Sequence, residues 1–325
     1  MSNLEAKPVE TVCGEPDGPE GPAVEVLKAR EVPLGGVRAM RVRRTLPQRA
    51  RSLIGAWCFA DHYGPDDITD TGGMVVPPHP HTGLQTVSWL FAGEVEHRDS
   101  LGSHALIRPG ELNIMTSGQG ICHSEVSTER ERTLHGVQLW VALPDAARHG
   151  PRDFQHYAPP LVELDGATAR VFLGELAGSD SPVRTFTPLL GAELTLQPRA
   201  EVTLEVDPSF EHGVLLDSGA VTMAGTDLAP ADLGYREPGT SDLTLANPAD
   251  EPARMLLLGG PPFGEELVMW WNFVGRGHEE IVAFRNAWEA ESDQFGRIDG
   301  YEGTPQRLPA PALPATRLKP RSTPR

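Results

Sequence analysis

The sequence has few cysteines, few basic residues and no long hydrophobic run, and each shortage excludes a class of protein. Its three cysteines, Cys13, Cys58 and Cys122, are an odd number, too sparse for a disulfide framework and compatible with a reducing cytoplasm. The 28 Lys and Arg residues against 45 Asp and Glu give a net charge of −17, which repels a phosphate backbone and argues against direct nucleic-acid binding. No segment approaches membrane-spanning length, and the acidic N-terminus lacks the apolar run of a signal peptide, so we expect a cytoplasmic protein without membrane contact.

Composition divides the 325-residue chain into two tails and a long central part. Residues 1–22 are rich in Glu, Pro and Gly, and residues 291–325 form a Pro-rich tail. The first 22 residues and the stretch 305–325 are predicted to be disordered. Residues 23–147 and 148–290 are predicted to form two domains of comparable size. A connector near residues 148–160 is expected to join them.

Short apolar runs separated by Gly and Pro fill both predicted domains. Examples are TVSWLFAG, GELNIMTSG, LHGVQLWVALP and HGVLLDSGAVTMAG. Their length, alternation and spacing are typical of β-strands and predict an all-β sandwich or barrel. Helical spacing is found mostly after Gly277, where Ile281, Phe284 and Trp288 recur, and this predicts a C-terminal helix of about four turns. The pattern therefore indicates two tandem β units followed by one helix.

Two short motifs place metal-ligand side chains two residues apart. In PPHPHTG these are His79 and His81, and in GICHSEV they are His123 and Glu125. Residues i and i+2 of a strand point to the same face, so each pair can aim at one point. If the two strands face each other inside one barrel, three imidazoles and one carboxylate converge. Such a set suits Fe(II), Mn(II), Ni(II), Cu(II) or Zn(II) and leaves open positions on an octahedral ion for a substrate oxygen or O₂.

The other histidines and the neighbouring cysteine are weaker candidates. The histidines predicted to be surface loop residues are His97, His104, His149 and His156. His62 and His135 are expected near the walls of the cavity, in hydrogen-bonded structural roles. Cys122 should point to the face opposite His123, so a small buried residue is favoured over a nucleophile.

Four segments together resemble the bacterial members of the pirin family, which belongs to the cupin superfamily. The segments are HPHTGLQTVSWLFAGEVEHRDSLG, IRPGELNIMTSGQGICHSE, HGVQLWVALP and GGPPFGEELVMWWNFVGRGHEEI, and the match spans about Val26 to Trp288. The resemblance implies a bicupin, that is, two tandem jelly-roll β-barrels, with a C-terminal helix. It also implies one divalent metal in the N-terminal barrel, most often iron. No metal is expected in residues 160–260, which hold only His212 as a histidine.

The family's metal ligands correspond to His79, His81, His123 and Glu125. One departure is Gln85, where the cupin pattern has glutamate. A neutral amide there can still orient a ligand histidine but raises its basicity less than a carboxylate would.

The resemblance leaves two functions open. In the first, a monomeric enzyme similar to quercetin 2,3-dioxygenase takes a flavonol and O₂, and Glu125 accepts the proton of the flavonol 3-hydroxyl. In the second, the protein is an iron-containing, redox-responsive regulator that binds a partner protein. The same four ligands serve both functions. An apolar pocket beside the metal would favour the enzyme, and a closed site would favour the regulator.

Overall fold

The computed structural model describes residues 2–3, 24–35 and 40–320 and places them in two β-barrels with a C-terminal helix. The first half of the chain forms β1 (Ser2–Asn3), β2 (Glu25–Leu27), β3 (Arg30–Gly35), β4 (Arg41–Leu46), β5 (Trp57–Asp67), α1 (Ile68–Thr71), β6 (Val75–His81), β7 (Leu84–Ala92), β8 (Val95–Asp99), β9 (His104–Ile107), β10 (Leu112–Thr116), β11 (Ile121–Ser127), β12 (Thr133–Ala142) and β13 (Asp153–Tyr157). The second half forms β14 (Val162–Leu164), β15 (Ala167–Leu173), β16 (Glu175–Leu176), β17 (Ser179–Asp180), β18 (Leu190–Leu196), β19 (Glu201–Glu205), β20 (Glu211–Ser218), β21 (Val221–Met223), β22 (Thr226–Leu228), β23 (Leu233–Arg236), β24 (Asp242–Ala246), β25 (Ala253–Gly260), β26 (Val268–Trp270), β27 (Phe273–Gly275) and α2 (His278–Glu289). The predicted all-β fold of two tandem jelly-roll barrels with a C-terminal helix is confirmed. The predicted disorder of residues 1–22 and 321–325 lies, apart from Ser2–Asn3, outside the described residues.

The first barrel consists of a large sheet and a small sheet. The large sheet has the strand order β1-β3-β4-β5-β12-β7-β10-β13, and the small one has the order β6-β11-β8-β9. In β12 every residue from Leu134 to Ala142 is buried, so both faces of the large sheet are covered. The small sheet contains both metal-ligand motifs.

The second barrel repeats this plan and packs against the first. Its sheets have the orders β14-β15-β18-β25-β20-β23-β2 and β19-β24-β21-β22. One apolar cluster joins Trp57 and Val137 of the first barrel to Phe172 and Leu256 of the second. The indole N–H of Trp57 also lies 3.2 Å from backbone carbonyl oxygens of β18 and β25. Burial of these apolar side chains holds the two large sheets face to face.

Each barrel includes a strand from the other part of the chain. Strand β2 pairs with β23 in the second barrel, and β13 pairs with β10 in the first. The expected connector near residues 148–160 therefore contains an edge strand of the first barrel. Strand pairing crosses the predicted domain boundaries, which stay a prediction.

The C-terminal helix covers the small sheet of the first barrel. Helix α2 begins after Gly277, and its buried Phe284 and Trp288 share an apolar cluster with Cys122 on the outer face of that sheet. The helix therefore packs against the first barrel. The preceding hairpin β26–β27 turns the chain back, since β27 forms a bridge with the residue after β6.

The segment after α2 is ordered as far as residue 320, so the disorder predicted for residues 305–320 is wrong. Its Leu308 donates its backbone N–H to the carbonyl of Pro78 at 2.8 Å and accepts from the Trp288 indole at 2.8 Å. The guanidinium of Arg307 lies 4.4 Å from the centre of the Trp288 ring. Composition misled the prediction because a few anchors are enough when a neighbouring helix supplies their partners. None of the helices in the described ranges is long and apolar enough to cross a membrane.

Candidate metal centre

The small sheet of the first barrel brings three of the predicted ligands together. Strand β6 carries His79 and His81, and β11 pairs with it so that His123 lies opposite His79. All three histidines are fully buried, and one ring nitrogen of each lies within 4.8 Å of the others. The Nε2 atoms of His81 and His123 are 3.0 Å apart. Alternation along two paired strands thus places three imidazoles at one point inside the barrel.

The fourth predicted ligand lies at the edge of this group. A register shift between His123 and Glu125 displaces the carboxylate along β11. Glu125 forms a second group with His97 and His123, whose ligand atoms also lie within 4.8 Å of one another. The Ser88 hydroxyl lies 3.2 Å from Glu125 Oε1. The two groups share His123, and Glu125 is buried with them.

The hydrogen bonds of His79 and His81 fix which ring nitrogen carries the proton. The Nδ1 of His79 lies 2.9 Å from the carbonyl of Pro77, and the Nδ1 of His81 lies 3.2 Å from the carbonyl of Asn272. A carbonyl can only accept, so both Nδ1 atoms donate. Burial lowers the pKa of His79 to about 3 and that of His81 well below its usual value, so both rings are neutral. Each Nε2 therefore offers a lone pair.

These nitrogens match the requirements of a metal ion. His79 Nε2 is buried and has no hydrogen-bond partner among the described residues. A buried polar atom without a hydrogen-bond partner reduces the free energy of unfolding by about 1–3 kcal/mol. A cation near the facing nitrogens of His81 and His123 would satisfy all three lone pairs. Neutral imidazoles with one carboxylate suit several first-row divalent ions, so the donor set fits a metal without identifying it.

The structure corrects the prediction that His97 lies in a surface loop. His97 is 2% exposed and lies on β8, with Nδ1 3.4 Å from His123 Nδ1 and Nε2 3.2 Å from Asp99 Oδ2. Burial alone would raise the pKa of Asp99, but hydrogen bonds from His97 and Ser103 lower it below its usual value. The signal was the alternation in VEHRD, where His97 and Asp99 face one way and Glu96 and Arg98 the other.

Two further expectations concern neighbours of the ligands. Gln85 donates Nε2 to the hydroxyl of Thr116 at 2.9 Å, so this hydrogen bond does not orient a ligand histidine. Cys122 lies opposite the ligand face and is 2% exposed, as predicted. Burial raises the pKa of its thiol to about 12, which argues against a nucleophile.

His62 and His135 lie at the junction of the two barrels rather than beside the metal-ligand group. Both place Nε2 on Asp217 Oδ1 of β20, at 2.7 and 2.6 Å, and Arg254 donates Nε to Oδ2 at 2.9 Å. The hydrogen-bonded role expected for the two histidines agrees with these contacts. One ligand atom of each of His62, His135 and Asp217 lies within 4.8 Å of the others. The positive charges of Arg254 and Arg43 beside this group oppose binding of a metal ion there.

Comparison with known proteins gives matches along both barrels. The family model described as Pirin matches residues 37–141, and the model described as Pirin C-terminal cupin domain matches residues 191–295. A Pseudomonas aeruginosa protein named a "putative quercetin 2,3-dioxygenase" is 45% identical over 289 residues, covering 89% of this chain and 90% of that protein. A pirin-like protein of Caulobacter vibrioides is 34% identical over 86% of this chain and 98% of its own length.

A solved structure agrees with these sequence matches. The crystal structure of quercetin 2,3-dioxygenase from Acinetobacter baumannii superposes with a TM-score of 0.85 at 37% identity. The superposition covers 90% of this chain and 96% of that one. The similarity therefore extends over both barrels and not over the candidate metal centre alone.

Proposed function

Because this chain belongs to the pirin family, we propose that it is a metal-dependent dioxygenase that cleaves flavonols such as quercetin with O₂. The observation on which the proposal rests is the group of three buried imidazoles whose Nε2 atoms converge beside a carboxylate. The names of two similar proteins, the "putative quercetin 2,3-dioxygenase" of Pseudomonas aeruginosa and the quercetin 2,3-dioxygenase of Acinetobacter baumannii, support the substrate class. In the overall reaction both oxygen atoms of O₂ enter the opened flavonol ring, and one ring carbon leaves as carbon monoxide.

The proposed ligands of one divalent ion are His79, His81, His123 and Glu125. Iron is our first choice, and Mn, Ni, Cu and Zn suit the same donor set. When bound, the ion supplies Lewis-acid and redox chemistry to a flavonol oxygen and O₂. The protein contributes neutral imidazoles held by carbonyl acceptors, so little rearrangement of the ligands is needed on binding.

The chain's own residues would handle the substrate proton. Glu125 accepts the proton of the flavonol 3-hydroxyl, and the Ser88 hydroxyl at 3.2 Å orients its carboxylate. Burial and the charge of Glu125 raise the pKa of the nearby Tyr63 well above its usual value, so that phenol stays protonated. The surrounding barrel keeps water away from the electron-rich ring.

Substitution of the proposed base tests the enzyme. Glu125→Gln should bind quercetin with similar affinity and lose about 10²- to 10⁴-fold in turnover, because a positioned base of this kind contributes that much. Oxygen-electrode traces and metal content should be measured on the same samples. Glu96→Gln is the matched control, since Glu96 alternates with His97 and points out of the barrel. If wild-type protein loaded in turn with iron, manganese, nickel and copper consumes no O₂ with quercetin, the proposed activity is wrong.

A regulatory role is the second candidate, and one observation favours it. The proposed ligands are at most 1% exposed, which is the closed site expected of an iron-containing, redox-responsive protein that binds a partner protein. His81 is also bonded to the backbone carbonyl of Asn272 in the turn of the β26–β27 hairpin, so a change at the ion can reach that hairpin. Hydrogen exchange of that hairpin in the Fe(II) and Fe(III) forms would test this role. Identical exchange in both forms would contradict it.

A further inference from the structure

Strand β8 adds two polar side chains to the ligand face of the small sheet. It pairs with β11 so that Asp99 lies opposite His123 and His97 lies opposite Glu125. Both β8 residues are 2% exposed. Paired residues of neighbouring strands point to the same face, so His97 and Asp99 belong to the interior of the barrel. The proposed ligand set does not include either of them.

The two oxygens of Asp99 have different partners. Oδ1 accepts from the backbone N–H groups of Leu101 and Ser103, both at 2.9 Å, in the turn after β8. Oδ2 lies 3.2 Å from Nε2 of His97. The turn therefore fixes the carboxylate so that Oδ2 faces the histidine.

The contacts of Asp99 support one order of protons among the histidines, the order that leaves Nε2 of His123 without a proton. A carboxylate can only accept, so Nε2 of His97 carries a proton and its Nδ1, in the neutral ring, has a lone pair. That lone pair faces His123 Nδ1 at 3.4 Å and accepts from it. With its proton on Nδ1, His123 keeps the Nε2 lone pair that faces His81 at 3.0 Å. Asp99 thus determines, through His97, which nitrogen of His123 is available.

We propose that Asp99 and His97 are positioning residues that hold His123 in the tautomer able to bind a metal. The inference deepens the proposed function, because it rests on metal binding at His123. The carboxylate of Asp99 also increases the electron-donating capacity of the histidines through two successive hydrogen bonds. A carboxylate or carbonyl behind a ligand histidine typically changes metal affinity by about 10- to 100-fold when it is removed.

Asp99→Asn reverses the order of protons. The amide oxygen must stay at the Oδ1 position, because the N–H groups of Leu101 and Ser103 need an acceptor. The amide NH₂ then faces Nε2 of His97 and donates to it. His97 carries its proton on Nδ1, donates to His123 Nδ1, and leaves the proton of His123 on Nε2. That proton occupies the position of the metal-binding lone pair.

The first measurement needs no variant. Nitrogen-15 NMR of the histidine rings in metal-free wild-type protein should show His123 protonated at Nδ1 and His97 at Nε2. Asp99→Asn should reverse both assignments, and a role confined to packing would not move them. The opposite tautomers in wild-type protein would overturn the proposal.

The second measurement is the dissociation constant of the metal-free protein for Fe(II) and Mn(II), by competition with a chelator. Asp99→Asn should weaken binding by about 10- to 100-fold. Glu96→Gln, on the outward face of the same strand and three residues before Asp99, should change it less than twofold. In a His97→Phe background, which keeps an aromatic ring against Phe154, Asp99→Asn should cause no further loss. An equal loss in both backgrounds would overturn the proposal. Wild-type protein that binds none of Fe(II), Mn(II), Ni(II), Cu(II) and Zn(II) would instead refute the proposed function.

Discussion

Asp217 joins the two barrels through a buried hydrogen-bond cluster, and its replacement by asparagine gives a quantitative test of that junction. The carboxylate accepts from His62 and His135 of the first barrel at Oδ1. At Oδ2 it accepts from Arg254 of its own barrel. Asp217→Asn keeps the shape of the side chain but leaves one acceptor oxygen where there were two. The amide oxygen can accept from the two histidines or from the guanidinium of Arg254. The amide NH₂ then faces the remaining N–H donors, from which it cannot accept a hydrogen bond.

The expected loss follows from these contacts. A hydrogen bond to a charged group contributes about 1.5–3 kcal/mol. The Arg254 side chain is 28% exposed, so its freed N–H groups recover water and the loss on that side falls near the lower end. The bonds from His62 and His135 also weaken, because a neutral oxygen replaces a charged one. We expect a decrease of about 2–3 kcal/mol in the free energy of unfolding at pH 7.

The loss should depend on pH in a defined direction. Burial alone would raise the pKa of Asp217, but hydrogen bonds from His135 and His62 and the charge of Arg254 outweigh burial and hold it far below its usual range. A folded-state pKa below the unfolded one stabilises the fold fully above the unfolded pKa, about 4. That contribution is lost as the pH falls toward the folded pKa. The difference between wild type and Asp217→Asn should therefore shrink below about pH 4.

Urea unfolding followed by tryptophan fluorescence measures the effect, since the indole of Trp57 lies at the same junction. Asp250→Asn is the matched control, because the Asp250–Arg199 ion pair is 82% and 63% exposed and should contribute at most about 1 kcal/mol. If Asp217→Asn costs no more than this control at pH 7, the reasoning about the junction is wrong.

Three other substitutions test single contacts elsewhere in the fold. Gly83→Ala should cost about 1–3 kcal/mol in a thermal melt, since Gly83 has a φ of 68° and a Cβ there would lie 2.2 Å from the carbonyl of Val274; an unchanged melt would contradict this. Trp57→Phe keeps a ring but removes the indole donor between the barrels, and urea unfolding should show a loss of about 1–2 kcal/mol; a stable variant would show that the bond contributes nothing. Leu308→Ala should accelerate proteolysis after α2, because Leu308 anchors that segment and is 7% exposed; an unchanged cleavage rate would refute its role as an anchor.

The sequence predicted the features that depend on local periodicity. Side-chain direction in a strand alternates with a period of two residues, so the His79–His81 and His123–Glu125 spacings were enough to place each pair on one face. The same rule applied to His97 and Asp99 would have found the third pair. It was missed because the charged residues around it made the segment look like a loop.

Features that depend on distant pairing were not predictable in this way. The direction of α2 is set by the β26–β27 hairpin, whose bridge to the first barrel joins residues far apart in the chain. The order of residues 291–320 depends on single anchors such as Leu308, whose partners lie on α2 and β6. The proline content of the segment predicted disorder because composition does not distinguish single anchoring residues from their neighbours. The acceptor for His81, a backbone carbonyl 191 residues away, leaves no side-chain signature in the sequence.

The bond between the His81 ring and the carbonyl of Asn272 joins residues that the ribosome synthesises at different times. Synthesis proceeds from the N-terminus, and β6 leaves the exit tunnel long before Asn272, which holds the ring of His81, and before Leu308, which pairs with Pro78. A nascent chain that ends before Asn272 contains every proposed ligand but lacks the acceptor that fixes one of them. Completion of the candidate centre therefore requires the chain as far as Asn272, and an ion would meet the finished geometry only after that residue has been synthesised.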